Sequence, residues 1–295
     1  MPDAPLSILY DTDIGDDIDD AWALSVCLRH PRLKLLGVTT VHRDTELRAA
    51  QARRLIELAG RTGVEVAAGS RDALDRLFPL VRNCQADVLS ADDEERLRRG
   101  RVDGVRFLAE TIEQNPGCTL LPVGPFTNVG RLIVEFPDAF GKLGRLVVMG
   151  GHLMAGHDGP EYNASVDPRA TRLMFGSGKP LLMVGLDVTL RCVMAPGELE
   201  EIEAKDTPLS RAIVTMTRLW QQAVSPPGEP LRTPCIHDPL AALVSAEPSF
   251  VQTEGMHLDI DNEGRCLRGE GEPNVEVAVE VDAEAVRRRI VQLIG

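Results

Sequence analysis

Ile8-Leu9-Tyr10-Asp11-Thr12-Asp13-Ile14-Gly15-Asp16-Asp17-Ile18-Asp19-Asp20-Ala21 passes from an apolar run into a helix through an acidic loop. The run over 6–10 has the length and bounds of a buried strand. Six aspartates then fall within ten residues. The helix predicted over 18–29 has Ala21, Ala23, Leu24, Cys27 and Leu28 as its apolar positions, and His30-Pro31 stops it. Carboxylates this crowded repel one another and raise each other's pKa. A helix start offers free N–H groups and partial positive charge, but capping needs only one or two side chains. A hard divalent cation, Ca²⁺ or Mg²⁺, prefers such carboxylate and carbonyl oxygens. The plainer reading of the stretch is a solvated, well-capped helix start.

Outward from this stretch the same alternation continues. Residues 33–41 (LKLLGVTTV) read as a second strand, followed by His42-Arg43-Asp44. A helix over 45–60 places Leu47, Ala50, Leu55 and Leu58 inward and a basic side outward. Further strands are predicted over 64–68, 119–123, 145–149 and 181–186, with a partly exposed one over 275–281. Helices are predicted over 102–114, from Asn128 through Phe136, and over 167–175, 209–223, 238–246 and 283–294. The stretch 71–100 is polar and irregular, and reads as a solvated surface insertion, a flap over a site being the alternative. Strand–helix alternation predicts an α/β fold, one domain over 1–295 with a mainly parallel, Rossmann-like sheet covered on both faces. Ligands of such sheets bind beyond the carboxyl ends of the strands. Asp13, Asp44, Thr127, the Met149-Gly150-Gly151 turn and Asp187 all fall at such ends.

The 295 residues carry a net charge of −13 and are 43% hydrophobic. That balance fits a globular protein and argues against nucleic acid or an anionic membrane as partner. A small uncharged molecule or a cation suits it better. Six cysteines lie scattered without a Cys-x-x-Cys pair, which supplies neither a zinc site nor a disulfide framework. Met1-Pro2-Asp3 lacks the basic start and apolar segment of a signal peptide. No apolar run approaches the roughly 20 residues that cross a bilayer. A reduced, cytoplasmic protein is the expectation.

A second cluster lies downstream at Cys235-Ile236-His237-Asp238-Pro239. There a carboxylate can turn to a cation and an imidazole, whose ordinary pKa permits proton donation near neutrality, to a substrate. A helix cap with proline at the first helical position explains the pair equally well. Glu161-Tyr162-Asn163 brackets an aromatic ring with groups suited to a polyhydroxylated ligand, and Asp167-Pro168 reads as the cap of the next helix.

Together these residues resemble the inosine–uridine-type nucleoside hydrolases. The likeness begins with Asp11-Thr12-Asp13-Ile14-Gly15 and Asp19-Asp20-Ala21. It continues in family order through Thr39-Thr40-Val41, Gly124-Pro125-Phe126-Thr127-Asn128, Val148-Met149-Gly150-Gly151, Glu161-Tyr162-Asn163, the segment from Val184 to Thr189, and His237-Asp238-Pro239-Leu240-Ala241. The resemblance implies cleavage of the N-glycosidic bond of ribonucleosides to ribose and free base. It implies a Ca²⁺ held by Asp13, Asp20, the Thr127 carbonyl and Asp238, with Asp13 taking the proton of the metal's water. Asp19, Asp44, Met149, Glu161 and Asn163 match the substrate-binding set, and His237 the acid beside the leaving base. Phe126 and Tyr162 are read as core packing. A homodimer or homotetramer is implied as well.

Three departures from the family pattern stand out. The acidic loop is two residues longer, with Ile14 where proline is usual, so Asp16 or Asp17 competes with Asp19 and Asp20 for the ligand positions. Asp44 replaces a common asparagine and Arg43 a common glycine. The segment 82–87 has no histidine, and Leu219-Trp220-Gln221-Gln222 replaces a tyrosine-rich helix; Trp220 reads as a packed helix residue, with stacking on a base as the alternative. Two other functions compete: a non-catalytic calcium- and nucleoside-binding protein of the same fold, and a haloacid-dehalogenase-like phosphatase using the Asp11-x-Asp13 pair.

Overall fold

The computed structural model describes residues 5–294; Met1-Pro2-Asp3, on which the expectation about targeting rests, lies outside the described residues. Apolar and β-branched runs form β1 (Leu6–Thr12), β2 (Leu33–Thr40), β3 (Glu65–Ala68), β4 (Arg101–Val102), β5 (Thr119–Pro122), β6 (Arg145–Met149), β7 (Leu181–Val184), β8 (Val251–Met256), β9 (Leu258–Ile260), β10 (Cys266–Arg268) and β11 (Val275–Val281). One nine-stranded sheet runs β4-β3-β2-β1-β5-β6-β7-β11-β8, and β9 pairs with β10 in a separate hairpin. Within the large sheet only β8 is antiparallel to its neighbour, along β11. This is the predicted α/β architecture. β8 and the hairpin, short and mixed in polarity, were not anticipated.

The chain leaves β1 for β2 on one side, and β5 joins β1 on the other. Strand order therefore reverses at β1, and a crevice opens beyond its carboxyl end. The first helix, α1 (Asp19–Arg29), is buried from Asp19 through Leu28. It packs against the helix His237–Ala246, itself enclosed from Asp238 onward. Two helices buried on all sides must start where the crevice is, because their polar first turns find no solvent elsewhere. Trp22 fixes α1 from the far side by donating its indole N–H to the Thr217 hydroxyl (3.2 Å).

One expectation is corrected and a second is refined. The outer side of α2 (Thr45–Leu58) is not uniformly basic: Arg48 is buried, on the same stripe as Ala52 and Leu55. The stretch 71–100 is exposed or half-exposed at most positions, as read, but it is anchored at a few. It contains α3 (Ala91–Arg98), and Asn83, Gln85, Ala86, Leu89 and Leu97 are buried. Leu97, Leu89 and Ala86 pack on Leu47 and Ala50 of α2, so the segment is part of the core that backs the acidic loop. Among the described residues no helix is long and apolar enough to cross a membrane.

Candidate active site

β1 delivers Asp11, Thr12 and Asp13 to the crevice, and pleat alternation separates their roles. Asp11 is fully buried beside Thr39, whose hydroxyl donates to it (2.6 Å), and the Asn128 amide donates to the same oxygen (2.7 Å). Burial pushes its pKa up to about 7. Sealed in the sheet, Asp11 cannot be the nucleophile that the phosphatase reading requires. Asp13, in contrast, lines a cavity of about 390 Å³, a volume in the range of small-molecule sites. Gly124, after β5, lies so close that a Cβ there would be 2.8 Å from the Asp13 N and Oδ1.

The loop turns at Gly15, whose φ of +123° and contact with the Asn83 amide leave no room for a side chain. It then enters α1 without a side-chain cap. The helix His237–Ala246 also starts uncapped, after Ile236, so Asp238 is a second-position residue and not the cap. Both helix starts face each other across the crevice. Asp19, Asp20 and Asp238 consequently bring carboxylate oxygens within 4.8 Å of one another, all three buried.

Among the described residues, the donors to these carboxylates are neutral. Thr12 donates to Asp20, and the Asp238 N–H reaches Asp19 Oδ2 at 3.4 Å. Burial first, and then repulsion from neighbouring acids that include Asp13 and Asp17, hold all three well above the usual carboxylate range. Asp13 is pushed up to about 6 by burial, against the pull of Arg48. Buried, negative and uncompensated oxygen donors are what a hard divalent cation binds, and no sulfur or imidazole competes within the cluster. The donor set fits Ca²⁺.

Around the cluster the cavity is lined by Asp16, Asp17, Met149, Glu161, Tyr162, Asn163, Trp220 and His237, with Val123, Leu186 and Val224 as apolar wall. Glu161 caps the helix Tyr162–Val166 and accepts the N–H groups of Asn163, Ala164 and Gly151. Asn163 spends its amide hydrogens on the carbonyls of Val123 (2.5 Å) and Met149 (3.3 Å), which leaves its oxygen to accept from a ligand. His237 meets the Thr189 hydroxyl through Nδ1 (2.8 Å), and burial lowers its pKa to about 4. It is thus neutral at pH 7, contrary to the sequence-based expectation of an imidazole titrating near neutrality.

Several predicted residues fall elsewhere. The Asp44 carboxylate caps α2 through the Leu47 N–H and makes a paired contact with Arg98 (3.0 and 2.9 Å). Despite partial burial, Arg98 holds its pKa below the ordinary value. Asp44 is not in the cavity wall: the charge expected beside the sugar is neutralised by α3. Thr127 begins the helix Thr127–Glu135 outside the wall, its hydroxyl donating to Asp167 (2.7 Å). Asp167 caps its helix as predicted. Phe126 is core, as expected, but Tyr162 is not: it is 52% exposed and stands on the cavity rim. Trp220 is packed and also forms wall. Arg48 was missed, although its position on the apolar stripe of α2 was legible.

A carboxylate-lined cavity at the switch point of a mainly parallel sheet is where α/β enzymes bind their ligands, and the Asp19–Asp20–Asp238 cluster in it could hold a metal ion. The chain belongs to the inosine-uridine preferring nucleoside hydrolase family, which it matches over residues 8–288. It is 32% identical to the pyrimidine-specific ribonucleoside hydrolase RihA of Shewanella sp. (strain MR-7), over 77% of this chain and 75% of that one. The RihA of Enterobacter sp. (strain 638) is 27% identical over 95% and 94% of the two chains. The structure of a purine-preferring ribonucleoside hydrolase from Gardnerella vaginalis matches with a TM-score of 0.83 at 25% identity, covering 98% of both chains.

Proposed function

We propose that this chain hydrolyses the N-glycosidic bond of ribonucleosides, releasing ribose and the free base. The observation that carries the reading is the buried, unneutralised Asp19–Asp20–Asp238 cluster, sharing one cavity with Asp13, Glu161, Asn163 and His237. Asp13, Asp20 and Asp238 would hold Ca²⁺, which would lower the pKa of a bound water; the Thr127 carbonyl, the fourth ligand implied by the family likeness, belongs to a residue outside the cavity wall. Asp13 takes the proton from the attacking water. Asp19 and the Asn163 oxygen accept ribose hydroxyls. Glu161, rigidly held by three backbone N–H groups, stabilises the positive charge that develops on the sugar ring.

His237 protonates the leaving base. With Nδ1 bonded to the Thr189 hydroxyl, the imidazole takes up a proton from solvent, passes it to the leaving base and returns to its neutral form. His237→Ala should therefore lower kcat/KM for nucleosides by roughly 10²-fold, as loss of a positioned acid does. It should leave hydrolysis of p-nitrophenyl riboside, whose leaving group needs no proton, nearly unchanged. An equal loss on both substrates would remove His237 from the acid role.

Ribose release from a panel of purine and pyrimidine ribonucleosides, with Ca²⁺ present, tests the whole reading and reports the base preference. Tight nucleoside binding without release would instead support a non-catalytic binding protein. The family likeness also carries the homodimer or homotetramer expectation, which light scattering checks.

A further inference from the structure

The acidic loop 13–19 contains no proline, yet it turns sharply at Gly15. Proline would have fixed one φ and reduced the freedom of the chain; Ile14 does not. The stiffness has to come from contacts. Arg48 supplies them from α2. Its side chain is 1% exposed. Nε donates to the His42 carbonyl (2.8 Å), Nη1 to the carbonyls of Ile14 (2.8 Å) and Asp13, and Nη2 to Asp16 Oδ2 (2.7 Å). Burial disfavours its charge, but the carboxylates of Asp13 and Asp16 outweigh that, and its pKa is raised.

We propose that Arg48 is the positioning residue of the metal site: it holds the Asp13 backbone in ligand geometry before any cation binds. This rests on the reading of Asp13 as a ligand. A planar fork with five N–H donors can hold carbonyls and a carboxylate at once, which a lysine cannot. The positive charge also sits behind Asp13, at its carbonyl, where it offsets repulsion among the acids without occupying the cavity. The same loop is gripped from its other side. Asn83, locked to Gln51 by reciprocal amide bonds (2.9 and 2.8 Å), fills the space beside Gly15, and the Gln85 amide donates to the Asp17 carbonyl (2.6 Å). Arg48 and Gln51 lie one turn apart on α2, so one helix face carries both supports.

Two measurements test the assignment. In the cation-free wild-type protein, amide hydrogen exchange over 11–20 should already be slow and should change less than about threefold on adding Ca²⁺. Free exchange that becomes protected only with Ca²⁺ would overturn the proposal. In Arg48→Lys, the Ca²⁺ dissociation constant from calorimetry should rise tenfold or more, and the 11–20 amides of the cation-free protein should exchange faster. Arg48→Lys that folds and binds Ca²⁺ with wild-type affinity would likewise overturn it, leaving Arg48 a merely structural group. If the variant does not fold, the wild-type exchange result decides. Neither readout depends on turnover, so absence of ribose release would count against the proposed reaction and not against Arg48.

Discussion

Asp13→Asn is expected to lower kcat for ribose release by about 10³-fold, within the range contributed by positioned general bases. The amide cannot accept the water's proton, and it is a weaker ligand than the carboxylate. The fold should survive. Arg48 and Gly124 meet Asp13 mainly at its backbone, and asparagine has the same shape. Removing one buried negative charge should even raise the melting temperature of the cation-free protein. Steady-state kinetics with ribose detection, alongside a thermal melt in chelator, measures both. A variant with kcat within tenfold of wild type would take the base role away from Asp13.

The second large effect is the response to calcium. Carboxylates whose folded pKa is raised bind protons more tightly in the native state than in the unfolded one. Stability then falls as pH rises from their ordinary value through the raised one. Asp19, Asp20 and Asp238, raised by burial and by one another, have this sign. His42 and His237, lowered to about 4, have the opposite one, but they act below about pH 6.5. Between pH 6.5 and 7.5 the acids dominate, and the chelated protein should melt lower at pH 7.5 than at 6.5. Adding Ca²⁺ at pH 7.5 should reverse this. At a thousandfold excess over the dissociation constant, binding contributes about 4 kcal/mol, on the order of 8 °C for a chain of this size. Ribose release should vanish in chelator and return with Ca²⁺. A melting temperature indifferent to both pH and Ca²⁺ would mean that the cluster is not a cation site.

Much of the site was legible because it is written as local pattern. A strand, a run of aspartates and a helix start must place carboxylates at a strand end, whatever surrounds them. The Cys235–Pro239 segment does the same from another helix. Side-chain direction was harder to read. Asp44 and Arg98 are 54 residues apart, and nothing local shows that α3 returns to neutralise one of the two aspartates expected beside the sugar. Tyr162 followed a plausible core pattern, but its short helix starts at the rim and leaves the ring exposed. The 71–100 segment, polar in composition, owes its order to the few apolar residues that meet α2. Its role as backing for the loop appears only when Asn83 is seen beside Gly15.

What the chain alone determined is therefore most of the strands and helices and the strand ends where polar residues collect, which follow from periodicity, capping and spacing over a few residues. The roles of the acids gathered there came from the family resemblance. The tertiary structure alone decided which charges remain unpaired. Asp44 found Arg98 and Asp16 found Arg48, while Asp19, Asp20 and Asp238 met further acids and neutral hydrogen-bond donors and no ion-pair partner among the described residues. The physical reason is that a carboxylate's charge state depends on every group packed within a few ångströms, and packing draws those groups from distant parts of the chain.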